Sequence, residues 1–426
     1  MNTPTERPTS PAYAWYVLAV LLAVYVMNFV DRQILAIVLV DVKAELNASD
    51  TAMGFLSGFA FVLFYASAGI PIARWADRGS RRTIIAIACF LWSLMTAVTG
   101  LAQSFVQLAL ARVGVGVGEA GCSPPAHSLI SDYFPPERRA TALSIYAMGI
   151  YLGVLFGFVG GGYIRDLFDW RTAFLAAGLI GLPLALLVRL TVREPERGAA
   201  EHGAVATETP PVREVLRVLF AQRSFVWLAV AACCQALSGY AILSWGPTFL
   251  IRVHEMAVSE IGLKFGLVAG IGGAVGVTAG GVLADRLGAS DVRWYVWMPA
   301  VLALVAAPLA LPFYLLDDTT LALAAFVPFY VAGNMYVGPL LSLTQGLVPV
   351  RMRAVASASL LTVVNIVGLG LGPLLVGMMN DALAGTYGPH AIRYSLLVMA
   401  GLGVLATPSF LLCARTLREE LVSRPA

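Results

Sequence analysis

The segment Ala111–Gly121 reads ARVGVGVGEAG, and its interpretation decides the fold. Gly116-x-Gly118-x-x-Gly121 has the spacing of a dinucleotide-binding loop, yet Arg112 and Glu119 stand in the same otherwise apolar run. A dinucleotide fingerprint needs a preceding strand and a βαβ unit. Here the run lies inside an apolar segment long enough to cross a bilayer and ends at Pro-Pro-Glu-Arg-Arg (135–139). The glycines are therefore read as a helix face kept small for close helix contact.

The whole chain supports that reading. Of its 426 residues 59% are hydrophobic and 12% charged, about half the charge of a soluble domain, and the mean hydropathy is +0.80. The N-terminus, MNTPTERPTSPAYAW, lacks the basic region and cleavage site of a secretory signal, so the first apolar run is expected to remain as a span. Twelve spans are expected at 13–39, 52–75, 82–102, 104–132, 138–164, 172–192, 222–251, 258–284, 291–315, 320–347, 353–380 and 391–415. This is an all-α membrane protein, with a tail at 1–12, a six-helix bundle at 13–192, a polar linker at 193–221, a second bundle at 222–415 and a tail at 416–426. The Pro-, Gly- and Glu-containing linker is expected to carry a short surface helix near its end.

Twenty of the 28 basic residues fall on the side of the termini and six on the opposite side, which places both termini in the cytoplasm. Only Lys43 and Lys264 are lysines, and alanine is abundant, a composition suited to a GC-rich bacterial genome and hence to an inner membrane. Cys89, Cys122, Cys233, Cys234 and Cys413 sit in apolar segments with neither metal nor disulfide spacing. His127, His202, His254 and His390 are scattered and form no catalytic cluster, and no Walker motif is present. An enzyme, an ATP-driven pump, a nucleic-acid binder and a metalloprotein are thus all disfavoured, no cofactor is expected, and the chain is read as a monomer.

The halves echo each other. RWADRGSRR (74–82) follows the second span, as GGVLADRLGASDVR (280–293) follows the eighth, and the turns at 135–144 and 348–359 correspond likewise. These segments, with Arg112-x3-Gly116-x-Gly118 and Gly149-x3-Gly153-x3-Gly157-x2-Gly160-Gly161, resemble the motifs of the major facilitator superfamily. Phe158 stands where the glycine motif of its antiporters usually has proline. Asn28-Phe-Val-Asp31-Arg32, ARWADRGSRR and the block Arg112–Ala140 are similar to the spinster branch, lysolipid and sphingolipid transporters. The resemblance implies two pseudo-symmetric bundles rocking about a central site. It also implies that Asp31, Arg32, Arg112 and Glu119 serve substrate binding and coupling, and that Asp77, Arg78, Asp285 and Arg286 form a conformational gate.

Independently of the resemblance, four charges stand where charge is costly: Asp31 and Arg32 on span 1, Arg112 and Glu119 on span 4. At about 1.5 Å per residue, Asp31 and Arg112 lie at similar depth and Glu119 about 10 Å closer to the side of the termini. The four sum to zero, so each arginine is expected to pair with a carboxylate, and one proton would free an arginine for an anionic ligand. Asn28, Gln33, Tyr65, His127, Gln235, Tyr240, Tyr330, Asn334, Tyr336 and Asn365 are candidate cavity-lining residues. The expected activity is proton-coupled secondary transport of an amphiphilic, lipid-like molecule. The alternative is proton-linked transport of small organic anions such as sugar acids, or drug export.

Overall fold

The computed structural model describes residues 10–198 and 211–421, apart from the side chains of Ile70, Ala73, Arg74, Asp77 and Val350. The tail residues 1–9 and 422–426 and linker residues 199–210, His202 among them, lie outside it. Apolar length dictates what forms: eleven helical segments are long and apolar enough to cross a membrane. They are Pro11–Ile37, Asp50–Gly69, Arg81–Gly100, Phe105–Tyr133, Pro136–Leu167, Trp170–Thr191, Arg223–His254, Val258–Gly288, Trp294–Leu315, Thr319–Gly346 and Arg353–Glu420. The last, of 68 residues, holds two spans, because a turn at Gly388–His390, with Gly388 at φ 55°, reverses the chain. These are spans 1 to 12, in chain order, and among the described residues no strand occurs. The final helix, Ala406–Glu420, runs beyond the expected boundary at 415 because Glu420 accepts hydrogen bonds from the backbone N–H groups of Arg223 and Ser224, 3.1 and 2.8 Å away.

Leu63, Leu110, Leu179, Val301 and Leu321 are all more than half exposed, as a lipid-facing belt requires. Spans 1 to 6 bury one apolar cluster around Trp92 and Tyr146, and spans 7 and 9 to 12 with the linker helix Val212–Ala221 bury another around Phe225 and Leu360. A third, around Phe158, Trp245 and Phe265, joins the two sets at the face opposite the termini, called here the far face.

The opening segment is helical: Phe105–Glu119, then a turn at 120–122, then Ser123–Tyr133. A Cβ at Gly118 would lie 2.8 Å from the backbone nitrogen of Trp92, and one at Gly121 2.8 Å from Ala88. The glycines admit span 3, not a pyrophosphate. On span 5, Gly153 and Gly157 meet span 1 in the same manner, at 2.5 and 3.0 Å from the carbonyl oxygens of Val26 and Val30. Span 5 is also met from its other side by span 8, where Gly262 would place a Cβ 2.4 Å from the Phe158 carbonyl oxygen.

Three spans contain π-helical turns: Phe55–Phe59 in span 2, Val268–Gly272 in span 8 and Asn365–Leu371 in span 11. The first and last touch across the bundle interface, where a Gly58 Cβ would sit 2.4 Å from the Leu369 carbonyl oxygen.

Gly118→Val should abolish folded protein, read as loss of the monodisperse peak in detergent size-exclusion chromatography. Gly160→Ala, with nothing within 4 Å of its Cβ, should elute as wild type.

Candidate functional site

The site begins with a rule of helix geometry: side chains lean toward the N-terminus of their own helix. Spans 1 and 4 are antiparallel, so their arginines lean in opposite directions. Arg32 leans toward the side of the termini and meets Glu119 there, with Nε and Nη2 at 2.7 and 2.6 Å from the same carboxylate oxygen, Oε2. Its Nη2 also donates to Asn28 Oδ1, one turn back, at 3.3 Å. The rings of Phe29, Phe61 and Tyr65 surround the guanidinium at 4.8, 4.6 and 5.5 Å, a cation–π box that favours a cation. Glu119 can take this role because the helix ends at it before the turn at 120–122.

Arg112 leans the other way. Its Nη1 donates to the backbone oxygen of Asp31 at 3.4 Å, and its Nε has no hydrogen-bond partner among the described residues. The expected similarity of depth holds, but the expected ion pair does not form. Asp31 instead accepts from Thr96 Oγ1 on span 3 at 2.9 Å, and its other oxygen is unpaired. Asp31, Arg112 and Glu119 are all buried, at 1, 2 and 1% exposure. The quartet therefore contains one salt bridge, Arg32–Glu119, and two separately held charges.

A cavity of about 220 Å³ opens beside this centre, mostly within spans 7 to 12. Its wall includes Gln235, Tyr240, Tyr330, Asn334, Tyr336 and Asn365, six of the ten residues expected to line a cavity, among many alanines, valines and leucines. Phe29 and Tyr240 line it and also a smaller cavity, which takes Arg32, Gln33 and Arg112. Asn28 and Tyr65 reach the centre through Arg32 rather than as walls of either cavity. His127 lines neither of these two cavities; it is exposed, and its ring packs edge-on against Tyr146 at 5.4 Å. Two of the cysteines, Cys233 and Cys234, are half-buried and the other three buried, all as free thiols.

The expected gate, whose pairs would form when the protein faces outward, shows none across the bundles among the described side chains. Arg78, Asp285 and Arg286 are exposed, and Asp285 accepts from the Tyr295 hydroxyl within its own bundle at 2.6 Å; the Asp77 side chain lies outside the described ones. Arg81 of that loop is buried, 1% exposed. It pairs with Asp132 and, at 2.8 Å, with Glu194, and donates to the Pro195 oxygen at 3.0 Å. This clasp fixes the start of the linker over spans 3 and 4. Burial favours the neutral form of Glu194, but hydrogen bonds from Arg81, the Arg82 backbone and Ser80 outweigh it and hold the carboxyl below its ordinary range.

Sequence reasoning missed the far-face junction. Asp50, 2% exposed, opens span 2. It accepts from Lys43 at 2.5 Å, from Arg252 of span 7 at 2.5 and 2.8 Å, and from Asn380 of span 11 at 3.0 Å. Asp381 accepts from the backbone N–H groups of Asp50 and Thr51 at 3.1 and 2.8 Å. Asp166 likewise takes the Ser259 N–H at 2.8 Å across the bundles. Lys43 and Arg252 were legible only as loop charges; the Ser49-Asp50 helix start was the available signal.

A bundle pair with a buried ionic centre beside an interbundle cavity is the architecture of a secondary transporter. The model of the Major Facilitator Superfamily matches residues 21–373. The chain is 34% identical over 413 residues to an MFS-type efflux pump of Mycolicibacterium smegmatis, covering 97% of this chain and 95% of that protein. It is 28% identical over 438 residues to protein spinster homolog 1 of Homo sapiens, covering 94% and 81%. The structure of a bacterial homologue of the human lysosomal transporter spinster, inward-facing and unoccupied, superposes with a TM-score of 0.90 at 33% identity, covering 98% of this chain and 100% of that one. The chain belongs to the Major Facilitator Superfamily, as a member of its spinster family. It is a multi-pass membrane transporter, and its family and fold are those of transporters rather than enzymes.

Two predictions follow from the clasp and the junction. A depressed carboxylate contributes stability above its unfolded pKa and loses it as pH falls through the folded value. Glu194→Gln should therefore lower the melting temperature by about 2–5 °C at pH 7, and the difference from wild type should shrink as pH falls below the ordinary glutamate range and vanish below the depressed folded value, read by differential scanning fluorimetry. Asp50→Asn should let the far face open, seen as a longer distance between spin labels placed at Ala48 and Gly385.

Proposed function

We propose that this transporter carries an amphiphilic, lipid-like molecule with an anionic headgroup, of lysophospholipid or sphingolipid type, coupled to protons by rocker-switch exchange between two states. The observation that carries the reading is the Arg32–Glu119 pair standing beside a largely apolar cavity of about 220 Å³, with Phe29 and Tyr240 shared between the centre and the cavity. An anionic head in the larger cavity would pair with Arg32 past Phe29 and Tyr240, which line both cavities, and an acyl tail fits the alanine-, valine- and leucine-rich wall. A proton on Glu119 would remove its charge from Arg32 and release the guanidinium to an anionic head. Asp31, held by Thr96 alone, is the second proton-accepting group. Each ligand shifts the populations only through its different affinity for the two states.

The closed far face supports a state open toward the termini. The distribution of basic residues supports a bacterial inner membrane with both termini in the cytoplasm, and the protein is taken to act as a monomer, without a cofactor other than the proton. Asp285 and Arg286, with Asp77 and Arg78, would meet across the bundles in the opposite state. A second reading, drug export, is favoured by the efflux-pump name of the Mycolicibacterium smegmatis relative; export of small organic anions would use the same arginines.

Proteoliposome uptake of a lysophospholipid and carboxylate panel, with and without a pH gradient, tests the proposal. Asp31→Asn and Glu119→Gln should each fold and lose gradient-driven uptake; wild-type rates would discard the coupling role. Arg32→Ala should weaken binding about tenfold or more, and unchanged affinity would leave Arg32 a structural residue. Uptake of carboxylates or drugs without any lipid signal would favour the second reading.

A further inference from the structure

On the far-face side of Arg32 lies the smaller cavity, of about 40 Å³. Its wall takes Arg32 and Gln33 from span 1, Ser57 from span 2, Arg112 from span 4 and Ser244 from span 7, completed by apolar side chains. Space for one water needs about 10–15 Å³, so this volume suits a few waters or one ion of about chloride's size. It is far too small for a lipid headgroup.

The chemistry of the wall is one-sided. No acidic side chain lines it. Tyr240 and Ser57 already spend their hydroxyls, on Asn365 and on the Met53 carbonyl. The remaining polar groups are two guanidiniums, which can only donate, and the Gln33 amide, 5% exposed, and Ser244 hydroxyl, 9% exposed, each of which can turn a donor to an anion. Arg112 is 2% exposed, its Nε–H is unpaired, and its single hydrogen bond is a long one to a backbone oxygen. A buried guanidinium short of acceptors is costly unless an anion or several waters complete it. Asp31 does not supply the acceptor: Arg112 reaches only its backbone oxygen, and its carboxylate, with one oxygen on Thr96 and the other unpaired, lies outside the wall. Arg32 adds a second positive charge, neutralised from the opposite side by Glu119.

We propose that this cavity is a binding site for a small inorganic monovalent anion of chloride's chemistry, held by Arg112 with Gln33 and Ser244. The anion takes charge-assisted hydrogen bonds from the guanidinium and neutral ones from the amide and hydroxyl. It completes Arg112 in the closed-far-face arrangement, and it is distinct from any transported molecule, which the larger cavity would receive.

The test uses the full-length protein in detergent, with no transport substrate added. Melting temperature is measured against sodium chloride and sodium bromide, with sodium gluconate keeping the ionic strength fixed. The expected result is a saturable rise on the order of 2–5 °C with either halide. The response should disappear in Arg112→Gln, survive in weakened form in Arg112→Lys, and need several-fold more halide in Ser244→Ala. Crystals grown in bromide should show an anomalous peak within hydrogen-bonding reach of Arg112. Identical melting in halide and gluconate, an undiminished response in Arg112→Gln, or bromide found only at surface residues would overturn the proposal. Because nothing is transported in these measurements, their failure leaves the lipid reading standing, and failure of lipid uptake leaves the anion site standing.

Discussion

The structure is organised by the cost of keeping two guanidiniums inside an apolar bundle. Arg32 meets that cost with a carboxylate, an amide and three aromatic rings. Arg112 has a carbonyl oxygen and the wall of a small cavity. Removing a partner from a buried ion pair is far more costly than the pair itself is stabilising. The neighbourhood of Arg32 is accordingly dense in specific contacts, whereas around Arg112 polar atoms such as its Nε and Asp31 Oδ1 stay unpaired.

Much of this was legible in the chain alone. Twelve apolar runs, the polar linker and the echo between halves gave the span order to within a few residues, because lipid leaves the backbone few other ways to satisfy its hydrogen bonds. The four intramembrane charges stood out for the same reason. Their pairing was not legible from a charge sum. Arg112 and Asp31 do share a depth, but the direction in which a helical side chain leans separates Arg112 from both carboxylates. That rule needs only the sense of each span, so the signal was present in the topology. The Asp50 junction was harder to see, since its partners come from positions 43, 252 and 380 and meet only when the bundles dock. The edge contact of His127 with Tyr146 was likewise not legible, since no local pattern encodes it.

The two faces are held by different means. At the far face, backbone N–H groups, a buried aspartate and glycine contacts join one bundle to the other. On the side of the termini, the strong contacts stay within a bundle: Arg81 grips the linker, and Asp291 binds Arg293 and Arg418 at 2.8 and 2.6 Å. Each bundle is thus braced as a unit, and the junction between them is concentrated at one end, a distribution suited to pivoting.

The π-helical turn in span 2 sets a phase relation along that helix. One residue added to a turn rotates everything beyond it by about 100°. Before the turn, Gly54 faces span 11 at Pro373; after it, Phe61 and Tyr65 face Arg32. A helix without the extra residue could aim either set correctly but not both. The widened turn therefore works as an angular offset, letting a single rod be flush with its neighbour at one end and wrap a cation at the other.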